Sequence, residues 1–100
     1  MVSAVTSTSQ RVVLSRGAQK DLRQAPAPIV AKFRIWVDDV EHNGLEQARK
    51  RPGYHDEPLR GSRAGQRSVR LNRSWRAIYT LGHDGRVTLV QVQEVNKHDD

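Results

Sequence analysis

Apolar residues recur at two different periods along this chain, and the change of period divides it. Ile29, Phe33, Trp36 and Val40 stand at i, i+4, i+7 and i+11, with Val30 and Val37 beside them. That spacing predicts a helix with one buried stripe. Pro28 can open it, since its missing N–H costs nothing in the first turn, and Asn43-Gly44 closes it as a left-handed cap. Upstream, Ser15 is placed to cap a shorter helix over Arg16 to Gln24, with Ala18, Leu22 and Ala25 on one side and Pro26 as its stop. Arg11 to Leu14 holds the β-type run Val12-Val13-Leu14. Leu45 to Arg51 predicts one more helical turn or two, which Pro52-Gly53 breaks.

From Arg67 onward the period becomes two. Val69 and Leu71 alternate with Ser68 and Arg70. Trp75, Ala77, Tyr79 and Leu81 alternate with Arg76, Ile78 and Thr80. Asn72-Arg73-Ser74 predicts a short turn between these strands, and Gly82-His83-Asp84-Gly85 a second hairpin turn. Val87 to about Lys97 predicts a last strand, with Val90, Val92, Glu94, Asn96 and His98 on its even positions. Tyr54 to Gly65, punctuated by Pro58, Gly61 and Gly65, reads as loop. The expected fold is α+β: an N-terminal strand, then two helices packed on one face of a small, mainly antiparallel twisted sheet. Residues 1–10, Ser/Thr-rich and uncharged, read as a flexible leader, and residues 11–100 as one domain. Trp75 and Tyr79 could stack on bases, but their phase with Ala77 and Leu81 directs them against the helices.

Charge sharpens the picture. The chain has 100 residues and a net charge of +6, so a polyanionic partner is favoured. No apolar run approaches the ~20 residues that span a membrane. There is no cysteine, which excludes disulfides and thiolate chemistry. No basic segment followed by an apolar run marks a secretory signal, so a cytoplasmic protein is the expectation. Six arginines, Arg60, Arg63, Arg67, Arg70, Arg73 and Arg76, crowd the segment after the carboxylate pair Asp56 and Glu57. Most fall on the strand ribbon. Guanidinium groups on a rigid sheet suit phosphate, because the planar fork matches its oxygens.

Metal-free RNA cleavage needs a base for the 2′-OH, a cation for the charge growing on phosphate, and an acid for the departing 5′-oxygen. Glu57, Arg76 and His98 have the right chemistry and lie near strand ends that antiparallel pairing can bring together. Each has a plainer use. Glu57 can pair with a rim arginine, Arg76 can be one solvated cation among several, and His98 lies near a terminus. Neither His55-Asp56-Glu57 nor His98-Asp99-Asp100 has a recognised ligand spacing, so no metal and no cofactor is expected.

Glu57-Pro58-Leu59-Arg60-Gly61, Arg70-Leu71, Trp75-Arg76-Ala77-Ile78-Tyr79 and Glu94-Val95-Asn96-Lys97-His98 together resemble the RelE/ParE superfamily of toxins from toxin–antitoxin pairs. The resemblance covers roughly residues 11 to 98 and is nearest to the RelE, YoeB and HigB-type mRNA interferases. It implies a RelE-like fold, cleavage of mRNA in the ribosomal A site, and a cognate acidic antitoxin. It also implies roles: Glu57 as general base, Arg76 as transition-state cation and His98 as general acid. By the same resemblance Arg60 would contact phosphate and Arg70 would supply a second cation on the active face; from charge alone, Arg73 and Lys97 are expected as peripheral phosphate contacts. Many relatives carry a Tyr just after that His, whereas this chain has Asp99 and Asp100. ParE-like members share the fold but inhibit DNA gyrase without cutting RNA, which is the alternative.

Overall fold

The computed structural model describes residues 10–97. The expected leader up to Ser9, and His98, Asp99 and Asp100, lie outside the described residues. The chain runs β1 (Gln10–Leu14), α1 (Arg16–Gln24), α2 (Ala27–Asn43), α3 (Leu45–Arg49), β2 (Glu57–Pro58), β3 (Arg67–Arg70), β4 (Trp75–Asp84) and β5 (Val87–Lys97). Single 3-10 turns at Pro52–Tyr54 and Gly61–Arg63 flank β2. The five strands form one sheet in the order β1-β5-β4-β3-β2. Only β1 and β5 are parallel; the other pairs are antiparallel.

The helices follow their sequence signals. Ser15 caps α1 by accepting from the Ala18 N–H at 3.0 Å. The stripe of α2 is buried in full at Ile29, Phe33, Trp36 and Val40. It meets Val69, Ala77, Tyr79, Val90, Val92 and Val95 from the sheet. Trp36 sits at the centre, 5.8 Å from the Phe33 ring and 5.6 Å from the Tyr79 ring. Tyr79 therefore packs against the helices, as its phase required. Gly44 does end α2, its N–H bonding to the Val40 carbonyl at 2.9 Å. Its φ of 89° and ψ of 150° are positive-φ but more extended than a left-handed helical cap.

Three expectations change. The segment read wholly as loop contributes β2, a two-residue edge strand that pairs Glu57 with Ser68 and Pro58 with Arg67. Pro58 is tolerable there because an edge strand needs fewer donors. The second hairpin is tighter than the glycine pattern suggested. Asp84 pairs with Val87, leaving Gly85-Arg86 as the turn with Gly85 at φ 59°. A glycine at the first central position with positive φ fits a type II′ hairpin. Leu81, in phase with the core, is nonetheless 47% exposed. The pairing of β3 with β4 begins at Tyr79, so Leu81 lies beyond the end of β3.

The last strand is not regular. Ile78 pairs with Glu94 but Tyr79 with Val92, so Gln93 is an extra residue on β5. The bulge resets the alternation. Val90, Val92 and Val95 face the helices and are buried, while Glu94 and Asn96 face the other way. The bulge lies where β1 stops: Leu14 pairs with Val92 and goes no further. From there α1 takes over the exposed edge. Ser15 Oγ donates to the Gln93 carbonyl at 2.9 Å, and Asp21 accepts the Val95 N–H at 2.9 Å.

Asp39 ties α2 to the chain after α3, accepting from Arg51 Nη2 at 2.7 Å and also from Arg51 Nε. The Arg51 hydrogen bond holds the Asp39 carboxyl below its ordinary value near 3.8. A depressed folded value means that the stabilisation is present above the unfolded value of about 3.9. It is lost as pH falls through the folded value. Asp39→Asn should lower stability at neutral pH and make the loss of stability below about pH 4 shallower. Urea midpoints measured from pH 7 to pH 2.5 check this, and parallel curves for the two proteins would show that Asp39 contributes nothing.

Candidate active site

The carboxylate pair splits. The Asp56 side chain is 1% exposed and accepts from Arg67 Nε at 2.7 Å. It also accepts from the Tyr79 hydroxyl, and Arg49 Nε lies 3.9 Å away. Burial, then the bond to Asp56, pushes the Tyr79 phenol above its usual range. Burial opposes the charge on Arg67, but the hydrogen bond and charge of Asp56 outweigh it, so its pKa is raised. Successive residues of an extended chain point to opposite faces. With Asp56 fixed inward, Glu57 is turned outward, onto the face the helices leave open. His55 precedes them in the left-handed region, at φ 44° and ψ 50°. Its Nε2 lies 3.3 Å from Glu57 Oε1. The trio His55-Asp56-Glu57 therefore does not gather around one point.

Strand register places the remaining candidates. Glu57, Ser68, Ile78 and Glu94 form one row across the open face. Arg70, Arg76 and Asn96 form the next. The rows lie about 7 Å apart along the strands, and β2 and β4 are separated by about 10 Å. Glu57 and Arg76 thus share a face without touching, about 12 Å apart at Cα. Arg70 and Arg76 are direct cross-strand partners. Like charges placed so are unfavourable until an anion joins them.

The other arginines divide. Arg60 is exposed on the loop leaving β2, and Arg73 is exposed in the β3–β4 turn. There Asn72 Oδ1 accepts the Ser74 and Trp75 N–H groups at 2.8 Å. Arg67 points to the helix side with Asp56 and is no part of the open row. Lys97 pairs with Trp75, so its side chain belongs to the helix-covered face at the sheet's end, and β5 does not bring it to Arg76. His98 lies outside the described residues.

A cleft of ≈ 200 Å³ opens beside Arg76, lined by Leu59, Arg63, Arg76, Ile78, Glu94 and Asn96. Arg63 reaches over from its 3-10 turn to pair with Glu94, whose Oε1 accepts from Asn96 Nδ2 at 2.8 Å. Ile78 is only 4% exposed although it faces away from the helices. Glu94 and Asn96 were not among the residues expected in the site, although the even phase of the last strand already grouped them. Arg63 was one of the six crowded arginines, but its loop position gave no direction and nothing marked it as the partner of Glu94.

No family model matches the sequence, and no curated protein matches it. Solved structures do. A YoeB/ParE toxin from Agrobacterium tumefaciens is 20% identical, with 89% of this chain and 99% of that chain aligned at a TM-score of 0.68. The RelBE2 toxin–antitoxin complex from Mycobacterium tuberculosis contains a chain 25% identical, with 88% and 96% aligned at 0.64. The DinJ-YafQ toxin–antitoxin complex from E. coli contains one 23% identical, with 90% and 93% aligned at 0.69. The fold is that of the RelE/ParE toxin superfamily.

Two outcomes follow from this geometry. Asp56→Ala strands the Arg67 charge and the Tyr79 hydroxyl, and should cost about 3 kcal/mol of unfolding free energy; a chemical-denaturation difference under about 1 kcal/mol would show the network to be dispensable. Arg70→Ser relieves the opposition to Arg76 and should raise stability without added anions by about 0.5 kcal/mol. It should also shrink the rise in Tm that inorganic phosphate gives the unmodified chain. An unchanged phosphate effect would show that the two arginines do not act as one site.

Proposed function

We propose that this chain is the toxin of a type II toxin–antitoxin pair and a ribosome-dependent mRNA endonuclease. The observation that carries the reading is the pair of opposed arginines, Arg70 and Arg76, on an open sheet face with the Glu57 carboxylate at its rim. A phosphate between the arginines would satisfy both forks. Glu57 takes the proton from the ribose 2′-OH. The 2′-oxygen attacks phosphorus, and Arg76 stabilises the charge that grows on the phosphate oxygens. The bond from phosphorus to the 5′-oxygen breaks, and the leaving oxygen takes a proton from His98, the role that the resemblance gives it. The products are a 2′,3′-cyclic phosphate and a 5′-hydroxyl. Arg60 and Arg73 hold flanking phosphates. No step requires a metal or cofactor.

The partner follows from the same face. Two of the structural neighbours are complexes with antitoxins. For this chain the matching partner is an acidic segment that covers Arg70 and Arg76 and folds as it binds.

The test is single-turnover cleavage of ribosome-bound mRNA. Glu57→Ala and His98→Ala should each slow it about a hundredfold to ten-thousandfold, and Arg76→Ala by a comparable factor. Ribosome affinity should fall much less for Glu57→Ala and His98→Ala, because their roles belong to the transition state. Near-wild-type rates for both would sink the acid–base assignment. In growing bacteria, expression should halt translation before DNA synthesis. If replication stops first and mRNA stays intact, gyrase is the target instead.

A further inference from the structure

We infer that the cleft beside Arg76 is a guanine subsite read by Glu94, a refinement that rests on the RNA-cleavage reading. Glu94 stands in the row next to Arg70, Arg76 and Asn96, about 7 Å along the strands. A base seated against Glu94 therefore directs its own sugar-phosphate toward Arg76. Leu59 and Ile78 give the cleft apolar walls, and Asn96 holds one carboxylate oxygen of Glu94 in place at 2.8 Å.

The identity of the base follows from what Glu94 already holds. Its Oε2 accepts from Arg63 Nη2, one arm of a guanidinium. An ionised carboxylate offers acceptors only, and its two coplanar oxygens match two parallel N–H donors. Guanine is the nucleobase built around a guanidine group, and its N1–H and N2–H₂ lie side by side on the Watson–Crick edge. Adenine sets N6–H₂ beside the acceptor N1, and cytosine sets N4–H₂ beside the acceptor N3. Uracil flanks one N–H with two carbonyls. Each of these three would press an acceptor against a carboxylate oxygen. Arg63 thus occupies the place of the base in the free protein. Its side chain is 44% exposed and that of Glu94 37% exposed. An ion pair so open to solvent is weak enough for a base to displace.

The experiment titrates the full chain, without ribosomes, with the 3′-monophosphates of guanosine, adenosine, cytidine and uridine, read by calorimetry and by the NMR shift of the Ile78 methyl groups. The guanosine nucleotide should bind about tenfold tighter than the other three. Glu94→Gln replaces one acceptor by a donor, which matches the adenine and cytosine edges alike, so the preference should leave guanosine and move to adenosine and cytidine. Arg63→Ala removes the competitor and should tighten guanosine monophosphate by no more than about fivefold. Equal affinity for the four nucleotides overturns the subsite, as does a preference for another base or a guanosine preference that survives in Glu94→Gln. Far-UV circular dichroism confirms that the Glu94 variant folds, and Arg63→Ala tests the cleft from the other side. Cleavage is scored separately. MRNA cut by a Glu57-dependent route, with no base preference in the titration, sinks the subsite alone. A guanosine preference that moves in Glu94→Gln supports the subsite even if mRNA is left intact, which would sink only the nuclease reading.

Discussion

Asp56 carries a charge into the interior of a small domain, where an unpaired carboxylate would cost several kcal/mol. Arg67 and the Tyr79 hydroxyl offset that cost, and each sits on a different strand. The network joins the segment before β2 to β3 and β4 on the helix side. It fixes the last rotation of the chain before Glu57, so the outward direction of Glu57 is a consequence of the inward direction of Asp56. Arg49 at 3.9 Å extends the contact to α3. A surface carboxylate on a free loop would have no such definition. The pairing therefore matters less for its net energy, which buried ion pairs seldom supply, than for the one arrangement it permits.

A second device shapes the opposite edge of the same face. With strict alternation, the even positions of β5 would place Val90 and Val92 beside Glu94 and Asn96. Two valines would then face solvent, or two polar groups would enter the core. The extra residue at Gln93 removes the conflict, so valines pack inward on both sides of it while Glu94 and Asn96 stay outside. The ladder to β1 has already ended at that point, and Ser15 and Asp21 supply the missing partners. Ser15 thus caps α1 and secures the bulge with one hydroxyl. The acidic end of the cleft depends on that helix start.

These two devices mark where the sequence was and was not legible. The stripe of α2, the Ser15 cap and the turn at Asn72 rest on local periodicity and local hydrogen bonds, and they stand where the pattern put them. The fate of Asp56 rests on Arg67 and Tyr79, 11 and 23 residues away. No local rule distinguishes Asp56 from Glu57, and the adjacent pair reads as one acidic spot. The bulge was hidden for a similar reason. Each half of β5 alternates correctly by itself, and only the register with β4 reveals the slip. The glycines at positions 82 and 85 both signal a turn. Strand pairing that continues to Asp84 selects the second. Lys97 shows the cost of reading motifs without register: it follows Asn96 in sequence and faces the other side of the sheet.

The opposed arginines remain unexplained by folding. Arg70 and Arg76 occupy paired positions on the open face, where Thr or Ser would remove a repulsion and lose no core contact. Arg67, only three residues earlier, shows that this chain pairs an arginine when structure is the purpose. A position that lowers the stability of the free protein, on a face the helices leave bare, is the expected mark of a site for a ligand. The ligand must be anionic, and it must present oxygens to two forks at once. Phosphodiester and carboxylate groups both do so, so on the proposed function one face would serve both a nucleic acid and an acidic partner that excludes it. Whichever binds recovers the repulsion as affinity. On that proposal the two would compete through the same arginine pair, without a second site or a change of fold.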